Sequence, residues 1–213
     1  MPELDNAKLR EAVLNGDWKT AAAVTKAAIA EGVEPLAIVT GCLVPAMDEV
    51  GRLFECEEYF VPEMLLSARA MKASMEILRP LLAAAGTQPV GRVAIGTVKG
   101  DLHDIGKNLV GAMLEGGGFE VIDLGADVSA ERFIEAITKS NANLVALSAL
   151  LTVTMPAMKT IIEAFRAAGV REKVKVMVGG APVTQQYADS IGADGYGDSA
   201  GAAVALARKL VAA

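Results

Sequence analysis

From Arg92 onward the sequence alternates short apolar runs with amphipathic helical stretches, and that alternation leaves this chain one class of fold. The apolar runs are Arg92–Thr97, Phe119–Asp123, Leu144–Ser148, Val174–Val178 and a minimal one near Gly195-Tyr196. Helical spacing falls between and after them. One stretch ends at Leu114, where Gly116-Gly117-Gly118 stops it, and Ala130–Lys139, Pro156–Ala168, Thr184–Ile191 and Ser199–Val211 follow. Strands that alternate with helices predict a doubly wound α/β domain with a five-stranded parallel sheet. The expected strand order is 2-1-3-4-5, the common arrangement for such a sheet.

The first 84 residues follow a different pattern, with helical periodicity only. Asp5 is expected to cap a first helix ended by Asn15-Gly16. Asp17 is expected to cap a second, with Trp18, Ala22, Thr25 and Ile29 on its inner side and Gly32 closing it. Pro35 suits the first turn of a third, carrying Leu36, Val39, Leu43, Met47 and Val50 inward, with a kink at Pro45. Pro62 opens a fourth, with Leu65, Leu66, Ala68, Met71, Met75 and Leu78 turned inward. These helices predict a four-helix bundle over residues 1–84. The small, Gly- and Pro-punctuated stretch Ala83–Gly91 reads as the connection, with 85–91 as linker and 92–213 as the α/β domain.

Composition narrows the function. Hydrophobic residues make up 53% of the 213, ample for a core. The formal charge is −6 with no basic tract, which argues against a nucleic-acid or anionic-membrane surface. The polar N-terminus carries no secretory signal, and no apolar stretch is long enough to span a bilayer. Two cysteines, Cys42 and Cys56, cannot staple a domain of this size, so a cytoplasmic protein is expected. There is one histidine, His103, which excludes a metal site built from several.

In a sheet of order 2-1-3-4-5, a ligand sits beyond the carboxyl ends of the strands, where the order reverses between strands 1 and 3. The loops concerned are Val98–Asp104 and Ala149–Thr154, and they hold the unusual polar residues. The first belongs to GTVKGDLHDIGKNLV, residues 96 to 110, with Asp101, His103 and Asp104 just past a strand end. Asp104 could be no more than a helix cap. A phosphate loop is a poor reading, because two carboxylates would face the phosphate and no Lys-Ser/Thr pair follows Gly106.

Asp101-x-His103-x-x-Gly106, then Ser148-Ala149-Leu150-Leu151-Thr152, then Gly179-Gly180-Ala181, form three elements in order, each at a strand end. Together they resemble the signature of corrinoid (cobalamin-binding) methyl-carrier proteins of anaerobic methyltransferase systems, and of the cobalamin-binding region of methionine synthase. The resemblance extends to the first half, through Met47–Phe54, Phe60-Val61-Pro62-Glu63 and Ser67–Met71, which look like the helical cap of that family. It implies a bundle cap followed by a flavodoxin/Rossmann-like corrinoid domain, and a cobalamin or related corrinoid as cofactor.

The resemblance also assigns roles. His103 would be the lower ligand of cobalt, Asp101 would hold the other imidazole N–H, and Thr154 would complete the relay where the family more often has Ser. Asp101→Asn is accordingly expected to keep the bond and shift the cobalt potential. Asp104, Ile105 and Gly106 line the same loop. Ser148, Leu150, Thr152, Gly179 and Gly180 are expected around the displaced nucleotide tail, with Leu150 and Leu151 as pocket wall and core. Phe54 and Val61 are expected over the reactive face, the latter in place of a commoner Leu; such a cover must swing aside, with Ala83–Gly91 as hinge. The implied function is to carry a methyl group on cobalt between a substrate-specific methyltransferase and a second methyltransferase acting on tetrahydrofolate or a thiol. A reductive activation protein is the third expected partner. The chain is then a subunit rather than a complete enzyme. A cobalamin-dependent sensor would call for a DNA-binding domain, for which no room is seen before Leu4 or after Ala213. The small subunit of a cobalamin mutase would generally lack the bundle.

Overall fold

The computed structural model describes residues 6–212. It divides into two compact units, one up to Pro89 together with Glu115–Gly118, the other Val90–Leu114 and Phe119 onward. The expected cap at Asp5 lies outside the described residues.

The first unit is a helical bundle. Its helices are α1 (Asn6–Leu14), α2 (Trp18–Ala30), α3 (Pro35–Ile38), α4 (Val44–Glu55) and α5 (Val61–Ala84). Asp17 caps α2 by accepting the Thr20 N–H at 3.1 Å. Glu63 accepts the Phe60 N–H at 3.0 Å at the start of α5. Between α3 and α4 the chain makes a π-helical turn, Val39–Leu43, and continues without a break. This is the answer to Pro45: the wider turn relieves the contact its ring would make with the Gly41 carbonyl, so the expected third helix persists as one path.

The buried stripes differ from the expected ones, for a common reason. In α2 the buried residues are Ala21, Thr25 and Ala28, while Trp18 is exposed and Ala22 and Ile29 half-buried. In α5 they are Met64, Ser67, Ala70, Met71, Ser74 and Leu78, with Leu65 and Leu66 about half exposed and Ala68 and Met75 half-buried. Leu36 is also exposed, whereas Val39, Leu43, Met47 and Val50 are buried as expected. Small residues bring α2 and α5 close together, and their hydroxyls are satisfied where they lie: Thr25 Oγ1 donates to the Ala21 carbonyl at 2.8 Å and lies 3.0 Å from Ser74 Oγ. A pattern search for large apolar side chains misses a stripe of Ala, Ser and Thr. Trp18 instead stacks at the surface, with the Arg69 guanidinium 4.9 Å from its ring centre.

Two hydroxyls meet at the end of α1, where a helix leaves carbonyls without partners. Tyr59 OH and Ser67 Oγ donate to the Leu14 carbonyl at 3.1 and 3.0 Å. Tyr59→Phe or Ser67→Ala alone is therefore expected to cost little, since the other donor remains. The double variant strands the carbonyl and should lose about 2 kcal/mol. Urea unfolding of the four members of the cycle checks this, with additive single costs as the contrary result.

The second unit holds a five-stranded all-parallel sheet in the order β2-β1-β3-β4-β5, as expected. The strands are β1 (Arg92–Thr97), β2 (Glu120–Asp123), β3 (Leu144–Ser148), β4 (Lys175–Gly179) and β5 (Gly195–Gly197). The helices are α6 (Ile105–Gly116), α7 (Ala130–Lys139), α8 (Pro156–Ala167), α9 (Gln185–Ile191) and α10 (Ala200–Ala212). β1, β3 and most of β4 are buried, while β2 is a half-exposed edge. That is why the first two read as nearly continuous apolar runs. Phe133 of α7 and Phe165 of α8 meet edge to face at 6.5 Å inside the core. Gly96 makes room for that packing, since a Cβ there would stand 2.8 Å from the Phe133 ring. Among the described residues no helix is long and apolar enough to cross a membrane.

Candidate functional site

Register places the functional loops. Thr97, Ser148 and Gly179 are lateral neighbours at the carboxyl ends of β1, β3 and β4, so the loops that follow them leave the sheet side by side. The loops after β1 and β3 then meet through one side chain, Asp101, which is fully buried.

Both carboxylate oxygens of Asp101 are saturated. Oδ1 accepts the His103 N–H at 3.0 Å and lies 2.7 Å from His103 Nδ1. Oδ2 accepts Leu150 N–H at 2.8 Å, Leu151 N–H at 3.3 Å and the Thr154 hydroxyl at 2.6 Å. Burial pushes this carboxyl up, but the hydrogen bonds from Thr154, the His103 and Leu150 amides and the imidazole outweigh it. They hold the group well below the usual carboxylate range. An ionised carboxylate can only accept, so the proton between Asp101 and the ring belongs to Nδ1. In the neutral ring that tautomer puts the lone pair on Nε2, and the imidazole is about half exposed.

The imidazole is fixed at its backbone as well. Thr97 Oγ1, itself buried, donates to the His103 carbonyl at 2.9 Å. The Thr154 hydroxyl also lies 2.8 Å from the Leu151 carbonyl, so one proton has two acceptors within reach and goes to the charged one. A buried carboxylate on one ring nitrogen and open space on the other is the arrangement of a metal-binding histidine.

The surroundings suit a large, mostly apolar ligand. Leu102, Ile105 and Val153 are 76%, 76% and 81% exposed on these loops and at the start of α6, a costly display unless something covers it. Leu150 and Leu151 are also exposed, so neither belongs to the core; their contribution to Asp101 is made by their amides. Gly106 has an ordinary backbone shape and is exposed, and a Cβ there would meet nothing within 4 Å, which leaves the first turn of α6 open on that side. Asp104 stands just before that helix, its carbonyl accepting Asn108 N–H at 2.8 Å. Ser148 is half-buried and Thr152 exposed.

Gly179 and Gly180 are required by the protein's own backbone. A Cβ at Gly179 would stand 3.0 Å from the Gly197 carbonyl oxygen, and one at Gly180 would be 1.9 Å from the Ala149 carbonyl oxygen. Phe54 of α4 and Val61 of α5 are half-buried members of the helical unit. Cys42 is buried, its thiol pushed up by that burial, and Cys56 is exposed beside Arg52.

Three residues were passed over by sequence reading. Thr97 was legible only as a hydroxyl at the end of an apolar strand, as Ser148 is. Lys107 is buried in α6 and paired with Asp123 at 2.5 Å, although periodicity alone reads it as a surface charge. Asp127, in the connection after β2, accepts the Gly100 N–H at 2.8 Å, a contact no sequence pattern announces.

Two segments of the chain, residues 91–205 and 6–79, match family models each described as a B12 binding domain. The chain is 44% identical over 201 residues to trimethylamine corrinoid protein 2 of Methanosarcina mazei, covering 93% of this chain and 92% of that protein. It is 45% identical over 191 residues to dimethylamine corrinoid protein 1 of the same organism, covering 89% and 88%. The solved methanol:cobalamin methyltransferase complex of Methanosarcina barkeri contains a chain that superposes with a TM-score of 0.86 at 31% identity. That match covers 97% of this chain and 79% of the other.

Proposed function

The chain belongs to the B12-binding corrinoid proteins, and from that premise we propose that it is a methyl carrier serving two methyltransferases, one that draws the methyl group from a substrate and one that passes it to an acceptor. The bound corrinoid supplies the cobalt centre that takes up and releases the methyl group. The observation that carries the reading is the Asp101–His103 pair, 2.7 Å apart, which leaves Nε2 open to a metal.

In this reading His103 ligates cobalt through Nε2, Asp101 fixes the tautomer and raises the basicity of the ring, and Thr154 steadies the carboxylate. Leu102, Ile105, Leu150, Leu151 and Val153 would hold the corrinoid by apolar contact, together with Asp104 and Gly106 of the same loop and helix start. Ser148, Thr152, Gly179 and Gly180 would hold its nucleotide tail. The methyl donor is selected by the partner enzyme, and the acceptor is tetrahydrofolate or a thiol. A reductive activation protein restores the nucleophilic cofactor after oxidation. Two unpaired thiols suit a reducing cytoplasm.

The test uses apo-protein titrated with hydroxocobalamin, then reduced and methylated with methyl iodide. Stoichiometric binding is expected, with loss of the methyl group to a thiol only when an acceptor methyltransferase is added. Failure to bind would sink the reading. Equal transfer without the second protein would make the chain a complete enzyme instead of a carrier.

A further inference from the structure

The loop that carries Asp101 and His103 is clasped from the side by the connection after β2, and one residue there has an unusual main-chain conformation. Asp127 adopts φ 54, the left-handed region that side-chain-bearing residues rarely occupy and Asp tolerates better than most. In that shape its main chain and its side chain both turn toward the His103 loop. Its N–H donates to the Asp101 carbonyl at 3.0 Å. Its Oδ1 accepts the Gly100 N–H at 2.8 Å, and its Oδ2 pairs with Lys99 Nζ at 3.0 Å. Three consecutive residues, Lys99, Gly100 and Asp101, are thus held by one.

The rest of the connection only continues the sheet. Thr97 N–H donates to the Gly125 carbonyl, Val128 N–H to the Thr97 carbonyl, and Val98 bridges to Val128. Those contacts fix the end of β1. Asp127 alone reaches past it, to the peptide immediately before Asp101, where Gly100 has φ +87 and no side chain to resist a change of shape. A loop free to turn there would carry the Asp101 carboxylate, and with it the imidazole, away from a fixed position.

We propose that Asp127 is a positioning residue for the lower ligand: by bracing Gly100 and Asp101 it holds His103 where Nε2 meets cobalt, and so sets how much of the bound corrinoid is imidazole-ligated. This rests on the reading of His103 as the ligand. Asp127 touches neither cofactor nor substrate and acts only through the loop.

The decisive variant is Asp127→Gly, because glycine adopts a positive φ without strain while both carboxylate contacts disappear. Asp127→Asn is the rescue, since Asn tolerates the same φ and its amide oxygen can still accept the Gly100 N–H. Two measurements are made on wild type and both variants. In apo-protein, hydrogen exchange at the Gly100 amide reads the brace; it should quicken at least tenfold in Asp127→Gly and return toward wild type in Asp127→Asn. In protein loaded with cobalamin and reduced to cobalt(II), the fraction of the paramagnetic signal whose nitrogen coupling responds to histidine nitrogen-15 reads ligation. It should fall severalfold in Asp127→Gly, with corrinoid still bound, and recover in Asp127→Asn.

An unchanged Gly100 exchange rate would overturn the brace. Faster exchange with an unchanged ligated fraction would overturn the positioning role while leaving the brace. Should Asp127→Gly not fold, a wild-type ligated fraction in Asp127→Ala, which keeps neither contact, would overturn it as well. Wild-type protein without histidine coupling would show that the ligand assignment itself fails, an outcome distinct from the others.

Discussion

His103→Ala, reconstituted with cobalamin and reduced to cobalt(II), is expected to give a paramagnetic spectrum with no coupling that responds to nitrogen-15 labelling of histidine. His103 is the only histidine in the chain, so no other side chain can supply an imidazole. Wild-type protein should show the label-dependent coupling under the same conditions; a wild-type spectrum blind to the label would refute ligation by His103.

The geometry adds a companion expectation that differs from the one sequence suggested. Asp101→Asn places an amide NH2 where a carboxylate oxygen now accepts. Turned toward Leu150, Leu151 and Thr154, that NH2 would face three donors, so it turns toward His103 instead. There it meets the His103 N–H and forces Nδ1 to become the acceptor, which moves the ring proton to Nε2 and removes the lone pair a metal needs. Asp101→Asn should therefore lose histidine ligation almost as completely as His103→Ala, with affinity for cobalamin down roughly 10–100-fold. Preserved coupling with only a shifted cobalt potential would restore the milder expectation.

The second large effect is a contrast between two glycines. Gly180→Ala should be among the most damaging single changes in the α/β unit. Its φ is +125, and the new Cβ would lie 1.9 Å from the Ala149 carbonyl oxygen, so backbone must give way. Strain of about 1–3 kcal/mol at such a φ and a similar overpacking cost sum to about 2–6 kcal/mol. That is a large share of the ~5–15 kcal/mol that holds a domain together. Gly106→Ala should do the opposite to the apo-protein. It meets no neighbour within 4 Å and lies in a helix, where Ala is favoured by about 0.5–1 kcal/mol. Apo stability should rise slightly while cobalamin binding weakens, because the added methyl projects into the space proposed for the cofactor. Chemical denaturation and a cobalamin titration on both variants decide the matter. Tight binding by Gly106→Ala would remove that residue from the site.

Strand positions and order were legible because buried parallel strands must be apolar nearly throughout, and the helices between them must alternate. β1, β3 and α7 fall where periodicity places them, and the other elements shift by a residue or two at their ends. The bundle was legible as helices but not as faces: α2 and α5 pack through Ala, Ser and Thr, whose small size gives no hydropathy signal. Gly179 and Gly180 were legible as glycines needed near a ligand, yet the close neighbours that require them are the carbonyls of Gly197 and Ala149.

The sequence by itself determined the fold class, the one residue able to offer an imidazole, and the family, since these depend on residue type and spacing along the chain. Only the tertiary structure decided the state of that imidazole. Asp101 stays charged and fixes the tautomer because donors 49 to 53 residues away, at Leu150, Leu151 and Thr154, converge on its second oxygen. Asp127 reaches Gly100 across 27 residues in the same way. Hydrogen bonds act over about 3 Å in space, and separation along the chain carries no record of which groups the folded sheet brings that close.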